Sequence, residues 1–426
     1  MPKMKDSGVR WIGNIPYKWS INRLKYNIEC FDGKRIPIDA SLRVEGPYPY
    51  WGAGNITDYV DDYIFNEELV LLGEDGAPFF DEYRPVAFLV NEPIWVNNHI
   101  HVLRGNKNIL NKFLTYFLNI VQYDVYINGS IINKLTQGNM NNINIVIPSI
   151  EEQRLITTFL DDKVGKTEEI LKDLSSQIDI LNKYKKSLIT EIVTKGVNPN
   201  VELKDSGVDW IGKIPKKWKI SKLKYMVEIK DGTHDTPDYT EAAEDTVPLI
   251  TGRFLDYNQN KILYDEANHI SYCDYKKINI RSNVEYNDII MPMIGTIGNP
   301  VIVKEQRPFS IKNLALFKTS HDEVLAKYLY YQLNSNIIDE QFNILIRGGV
   351  QSFVSLNIIE NLLAINIEKK IQQEIVNYLD NKCRQIDTII LDKQMQIEKM
   401  EKYKKSLIYE YVTGKKRVKG AEELYG

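Results

Sequence analysis

The strongest periodic signal in the chain is a pair of heptad seams. From Gln153 to Thr194 there is no proline, and Gly165 alone interrupts a run of helix-forming residues. Along it Leu160, Val164, Thr167, Leu171, Leu174, Ile178, Leu181, Lys185, Leu188 and Ile192 stand at alternating spacings of four and three, which keeps one stripe of a helix against a partner. The stripe recurs 219 residues later as Leu379, Cys383, Ile386, Ile390, Lys393, Ile397, Met400, Lys404, Leu407 and Tyr411. Two long helices packed seam to seam are therefore expected. At 1.5 Å per residue, a helix of about 42 residues runs about 63 Å, more than one compact domain covers, so it would act as a spacer. The competing expectation is that each stripe docks only on its own domain.

Elsewhere the apolar residues fall in short runs. Residues 69–72, 86–90, 288–291 and 300–303 are β-rich and bounded by Gly, Pro or Asn, and predict strands. Residues 110–119 and 325–334 are apolar on a helical period. The loops at 73–76, 129–130, 294–298 and 347–352 are rich in Gly, Asn and small polar residues, the kind that carries binding residues on a rigid scaffold. The expected fold class is α+β, with mixed sheet domains separated by long helices.

The chain is written twice. Lys5-Asp6-Ser7-Gly8-Val9-Arg10-Trp11-Ile12-Gly13-Asn14-Ile15-Pro16, followed by Trp19, returns as Lys204-Asp205-Ser206-Gly207-Val208-Asp209-Trp210-Ile211-Gly212-Lys213-Ile214-Pro215, followed by Trp218, at an offset of 199. Asp32-Gly33 matches Asp231-Gly232 at the same offset. Lys183-Tyr184-Lys185-Lys186-Ser187-Leu188-Ile189 returns as Lys402-Tyr403-Lys404-Lys405-Ser406-Leu407-Ile408 at 219. Between these anchors Gly76 pairs with Gly295, Asn98 with Asn313 and Gly129 with Gly348. The change of offset places about 20 extra residues in the second half, between Gly232 and roughly Asp288. Near-identical frames around divergent middles suit a molecule that reads two different things.

Composition narrows the class. With 426 residues, 43% hydrophobic and 26% charged, the chain has material for two or three folded domains. It has no apolar run long enough for a membrane span and no apolar leader at its start, so a cytoplasmic location is expected. Cys30, Cys273 and Cys383 are too few and too scattered for a disulfide framework or a cysteine zinc site. The net charge of −3 is not that of a globally basic nucleic-acid binder, so any such contact must be local.

The pattern Lys-Asp-Ser-Gly-Val-x-Trp-Ile-Gly-x-Ile-Pro-x-x-Trp, then a variable domain, then a long helix entered by Ile150-Glu151-Glu152-Gln153 and closed by Tyr184-Lys185-Lys186-Ser187-Leu188-Ile189-x-Glu191, resembles the specificity subunit of type I restriction-modification systems over the whole chain. In the second half, residues 230–237, 293–298 and 349–353 also resemble segments of that family. The second helix start, Lys369-Lys370-Ile371-Gln372-Gln373, lacks the Pro and Glu-Glu-Gln of the first and leaves that boundary open. The resemblance implies two target-recognition domains, at 1–150 with a variable core of 34–146 and at 198–366 with a variable core of 233–365. Spacer helices at 151–197 and 367–414, packed as an antiparallel coiled coil, and a basic tail at 415–426 complete the expected layout. It further implies that each domain reads one half of a bipartite asymmetric site in double-stranded DNA. The helices would set the spacing and dock two adenine methyltransferase subunits, through which two motor-nuclease subunits join. The chain itself would be non-catalytic, with S-adenosylmethionine, ATP and Mg2+ held by the partners.

Base reading needs Arg, Lys, Asn, Gln or similar donors on groove-facing loops. The candidates are Lys34, Arg35, Asn98 and Lys134 in the first domain and His234, Arg253, Arg347 and Gln351 in the second. Lys216, Lys217 and Lys219 belong to a run of six lysines between Lys213 and Lys224 with no acid among them. That run suits phosphate, which positions without specifying, and equally suits a solvated face. Trp11, Trp19, Trp210 and Trp218 are expected as packing anchors. The seam residues expected to pack the helices or meet partners are Leu160, Leu171, Leu174, Ile178, Leu181, Leu188, Leu379, Ile386, Ile390, Ile397, Met400 and Leu407. His99-x-His101 has the spacing of two metal ligands on one strand face but no third ligand at a suggestive distance, so no metal is expected. Two other classes stay open. A divalent-metal nuclease could use Asp238 with Asp274-x-Lys276, although no P-loop, GxSxG or methyltransferase motif is present. A coiled-coil scaffold binding proteins and no DNA would suit the pI near 6.1.

Overall fold

The computed structural model describes residues 3–127, 133–345 and 353–418. Gly129, Gly348, Arg347 and Gln351 lie outside the described residues. The chain forms two compact units, one of Met1–Ser175 with Lys393–Gly426 and the other of Ser176–Asp392. Each contains one sheet head, the adjoining half of one long helix and the adjoining half of the other.

The helices span Ile150–Lys195 and Lys369–Val412. The first opens with a capping box: Ser149 Oγ accepts from the Glu152 amide, and Glu152 Oε2 accepts from the Ser149 amide, at 3.2 and 3.0 Å. The boundary left open by the second start is resolved by a glutamine. Gln372 Nε2 donates to the Ile367 carbonyl at 2.9 Å, as Gln153 Nε2 donates to Pro148 at 3.0 Å.

In the first unit the head core, with Phe113, Phe117 and Val146, takes in Ile156, Leu160 and Val164 from the first helix and Leu407, Ile408 and Val412 from the second. Phe159 and Tyr411 meet with ring centroids 4.5 Å apart. In the second unit Ile189, Ile192 and Val193 join Ile375, Val376, Leu379 and Cys383 in one cluster, and Lys185 Nζ donates to Asp387 at 2.6 Å. In both, the start of one helix lies beside the end of the other, which is antiparallel pairing. Leu171, Leu174, Ile386 and Ile390 are buried, while Ile178, Leu181, Leu188, Ile397 and Met400 are half-buried. The two expectations for the seam combine, because the stripe packs on a head at its ends and on the partner helix as well.

The heads share one topology. The first has a sheet ordered Ile28–Cys30, Ile100–Gly105, Leu69–Gly73, Ala87–Val90, and the second has Ile229–Asp231, Leu314–Phe317, Ile289–Pro292, Val301–Ile302, all antiparallel. Each adds one parallel pair, Tyr48–Trp51 with Trp95–Val96 and Thr246–Ile250 with Ser310–Ile311. The helices Asn111–Leu118 and Glu323–Leu333 occur where the apolar period placed them. The extra residues of the second head carry the hairpin Leu255–Asp256 with Lys261–Ile262 and the helix Tyr272–Arg281.

Trp19 and Trp218 are buried, Trp11 is half-buried against Phe117, and Trp210 departs from the packing expectation at 38% exposed. Lys415, at the start of the basic tail, is tied down, its Nζ donating to the Ile12 carbonyl at 2.5 Å. Among the described residues no helix is long and apolar enough to cross a membrane.

Candidate nucleic-acid interface

Antiparallel order brings the ends of Ile28–Cys30 and Leu69–Gly73 to the same edge as the start of Ile100–Gly105. The loops there are bonded to one another: Glu74 N–H to His99 O at 2.9 Å, Leu135 N–H to Glu74 O at 2.7 Å, and Asn97 N–H to Trp51 O at 3.1 Å. Under them lies a charged cluster. Asp32 Oδ2 meets His101 Nδ1 at 2.6 Å, and Asp32 Oδ1 accepts from the Val102 amide at 2.9 Å. Arg35 donates from Nε to Asp32 O at 2.9 Å and from Nη1 to Glu74 Oε2 at 2.6 Å and Ile100 O at 2.9 Å. Burial pushes the Asp32 carboxyl up, and the bonds from His101 and Val102 with the charge of Arg35 outweigh it, leaving it below the usual carboxylate range.

Three of the four sequence candidates in this head therefore meet at one place. Arg35 is turned into the protein, Asn98 lends its carbonyl to Arg35 at 3.5 Å, and the Lys134 ammonium lies 3.6 Å from Glu74 and 3.7 Å from Asp75 with its side chain 46% exposed. Lys34 stands beside them with its ammonium over the Phe31 ring at 5.0 Å. Asp32, Glu74 and His101 gather donors within 4.8 Å of one another, a grouping of metal-ligand type. The guanidinium of Arg35 already spans both carboxylates, and His101 Nε2 is bonded to Leu135 O at 2.8 Å. The partners of His101 came from far along the chain, so spacing around His99-x-His101 could not reveal them.

The second head repeats the edge. Thr233 N–H bonds Ile311 O at 3.0 Å, Lys312 N–H bonds Ile250 O at 2.9 Å, and Val354 N–H bonds Met293 O at 2.8 Å. His234 Nε2 meets Asp231 Oδ2 at 3.0 Å and Nδ1 meets Asn313 Oδ1 at 2.9 Å. Arg281, from the extra helix, donates from Nε to Asp231 Oδ1 at 2.9 Å. Arg253 sits in the 3-10 turn Gly252–Phe254 that follows Ile250, and the Lys312 ammonium turns to Thr236. The lysine run does not join this group. Lys216 pairs with Glu202, while Lys217 and Lys219 are exposed on the frame beside Trp218, whose core is shared with the long helices. Asp274 of the nuclease alternative lies in the first turn of the helix Tyr272–Arg281, its amide donating to Oγ of the N-cap Ser271 and its carboxylate accepting from that hydroxyl.

Sequence reasoning missed Asp32, Glu74, Asp231 and Arg281, and weighed His101 only as a metal ligand. One signal pointed to two of them, because Asp32 and Asp231, and likewise Arg35 and His234, stand at the frame offset of 199.

Comparison with known proteins agrees with this architecture. The type I restriction modification DNA specificity domain matches residues 16–180. The specificity subunit of the MjaVIII type I restriction enzyme of Methanocaldococcus jannaschii is 25% identical over 425 residues, covering 95% of this chain and 94% of that one. The putative MjaX specificity subunit of the same organism is 27% identical over 443 residues, covering 96% of each. A solved structure from a study of complex assembly and conformational transition of the type I system shares the fold, with a TM-score of 0.62 at 12% identity, covering 93% of this chain and 98% of that one. A specificity-domain match in the first half, relatives spanning nearly the whole chain and a second head of the same topology lead to one conclusion: along nearly its whole length the chain is similar to the specificity subunits of type I restriction-modification systems.

Proposed function

We propose that this chain chooses the DNA on which a type I modification complex acts, each head binding one half of a bipartite asymmetric site in double-stranded DNA. The observation that carries the reading is a shared scaffold with different side chains at equivalent loop positions. By the frame offset of 199 Arg35 of the first head corresponds to His234 of the second, and by strand register Glu74 and His101 correspond to Met293 and Ala315. Loops on a common frame that differ in donors and charge suit two different half-sites. The paired helices set the spacing and, with the frames, dock two adenine methyltransferase subunits, through which two motor-nuclease subunits join. S-adenosylmethionine, ATP and Mg2+ belong to those subunits, this chain performs no catalysis, and the complex works in the cytoplasm.

Methylation sequencing of DNA from cells carrying this chain and its methyltransferase, against cells lacking only this chain, tests the proposal. A split motif with methylated adenines that disappears with the chain is expected. Exchange of residues 34–146 between relatives should change one half-site, and exchange of 233–365 the other. One helical turn added to both helices should lengthen the spacer. An active, co-purifying methyltransferase that yields no motif would instead point to a protein-binding scaffold.

A further inference from the structure

In both heads a repeated aspartate holds a basic side chain three residues further on. Asp32 takes Arg35, and Asp231 takes His234. In both, that basic group ties the loop after the first sheet strand to the connection leading into its neighbour: Arg35 reaches the Asn98 and Ile100 carbonyls, and His234 reaches the Asn313 side chain. Asn313 occupies that connection in a left-handed conformation, φ 54°, so its side chain is aimed by the backbone. Each aspartate also has a second partner, and here the heads diverge. Asp32 uses His101, whose equivalent in the second head is Ala315, and Asp231 uses Arg281 from the extra helix. One anchor has been kept while its surroundings were rebuilt.

We propose that Asp32–Arg35 and Asp231–His234 are equivalent positioning pairs that set the shape of the half-site-reading loops in their own heads, with His234 and Asn313 specificity determinants of the second. This rests on the half-site reading proposed above. The second pair has a property that the guanidinium of the first lacks. The His234 side chain is 45% exposed and faces Asn313, Asp231 and, across Asp231, Arg281, with Lys312 adjoining Asn313 and turned away to Thr236. The bonds to Asn313 and Asp231 hold the imidazole above its ordinary value, against burial and Arg281. The pair is intact below the ordinary histidine range and is lost as pH rises through the raised value.

The test uses the full-length chain in complex with its methyltransferase, acting on unmethylated genomic DNA, with base preference scored separately across each half of the methylated motif. Asp231→Asn should lower discrimination about tenfold in the half-site assigned to the second head and leave the other unchanged, and Asp32→Asn should do the reverse. Wild-type discrimination in the second half-site should fall between about pH 6 and about pH 9, whereas the discrimination of His234→Arg, whichever bases it prefers, should not change across that range. Asp32 and Asp231 are both packed beneath their loops, with side chains 8% and 9% exposed, so the pH comparison of wild type with His234→Arg carries the test if either asparagine variant does not fold. Uniform loss across both half-sites, or a pH loss that persists in His234→Arg, would overturn the proposal. A wild-type complex that methylates no split motif would overturn the functional reading itself, and this inference with it.

Discussion

Gly414, just past the second long helix, sits against Trp19 of the first frame: a Cβ added there would lie 2.9 Å from the indole and 2.4 Å from Pro16. Gly196, just past the first helix, holds the same relation to Trp218 of the second frame, with a Cβ 3.2 Å away. Both glycines have positive φ, +72° and +81°, as helix C-caps commonly do. Each helix therefore ends on a buried tryptophan of the unit it enters.

The two contacts differ in tightness, and substitution should reveal it. Gly196→Ala should cost about 1 kcal/mol from backbone strain. Gly414→Ala adds overlap with a proline ring that cannot swing aside, and should cost at least about 2–3 kcal/mol. Thermal melting of the two variants checks the order, and equal losses would count against the close approach at Pro16.

Gln153 is fully buried and bonds the Leu110 amide and the Asn108 and Pro148 carbonyls. Gln153→Leu leaves these groups without a partner, and denaturant unfolding should record a loss of about 2–3 kcal/mol. A variant as stable as the parent would mean that water replaces the amide at no cost.

The seam should contribute stability where it is buried. Leu174→Ala should destabilise by about 2–4 kcal/mol, because a buried leucine leaves a cavity. Ile180→Ala, at a position 61% exposed on the same helix, should stay within about 0.5 kcal/mol. Comparable losses from both would contradict the one-sided stripe.

Thiol chemistry should rank the three cysteines. Cys273 is exposed, and burial pushes the Cys383 thiol up to about 11. At about pH 8, titration with a disulfide reagent should label Cys273 first and leave Cys383 unlabelled until the protein unfolds. Rapid labelling of Cys383 in the folded chain would show that its helix opens.

The Asp32 carboxyl is held below its ordinary value, so its contribution is present above the unfolded carboxylate range and is lost as pH falls through the lowered folded value. Unfolding followed from about pH 7 to about pH 2 should show acid destabilisation that is weaker in Asp32→Asn. An unchanged acid profile in that variant would place the effect elsewhere.

The long helices, their shared stripe, the duplication and the strands 69–73, 87–90 and 289–292 were legible in the sequence, because each is a local period or a repeated string. Leu160 and Leu379 could be placed in a core from spacing alone. Tertiary structure decided which loops share an edge. His101 meets Asp32 from 69 residues away because two antiparallel strands hold one register, and a shift of one residue would turn His101 to the other face. Arg35 looked like a free donor in the sequence, and only the fold places the Glu74 carboxylate within 2.6 Å to engage it. Local patterns set the elements of this chain, and strand register set the chemistry at their ends.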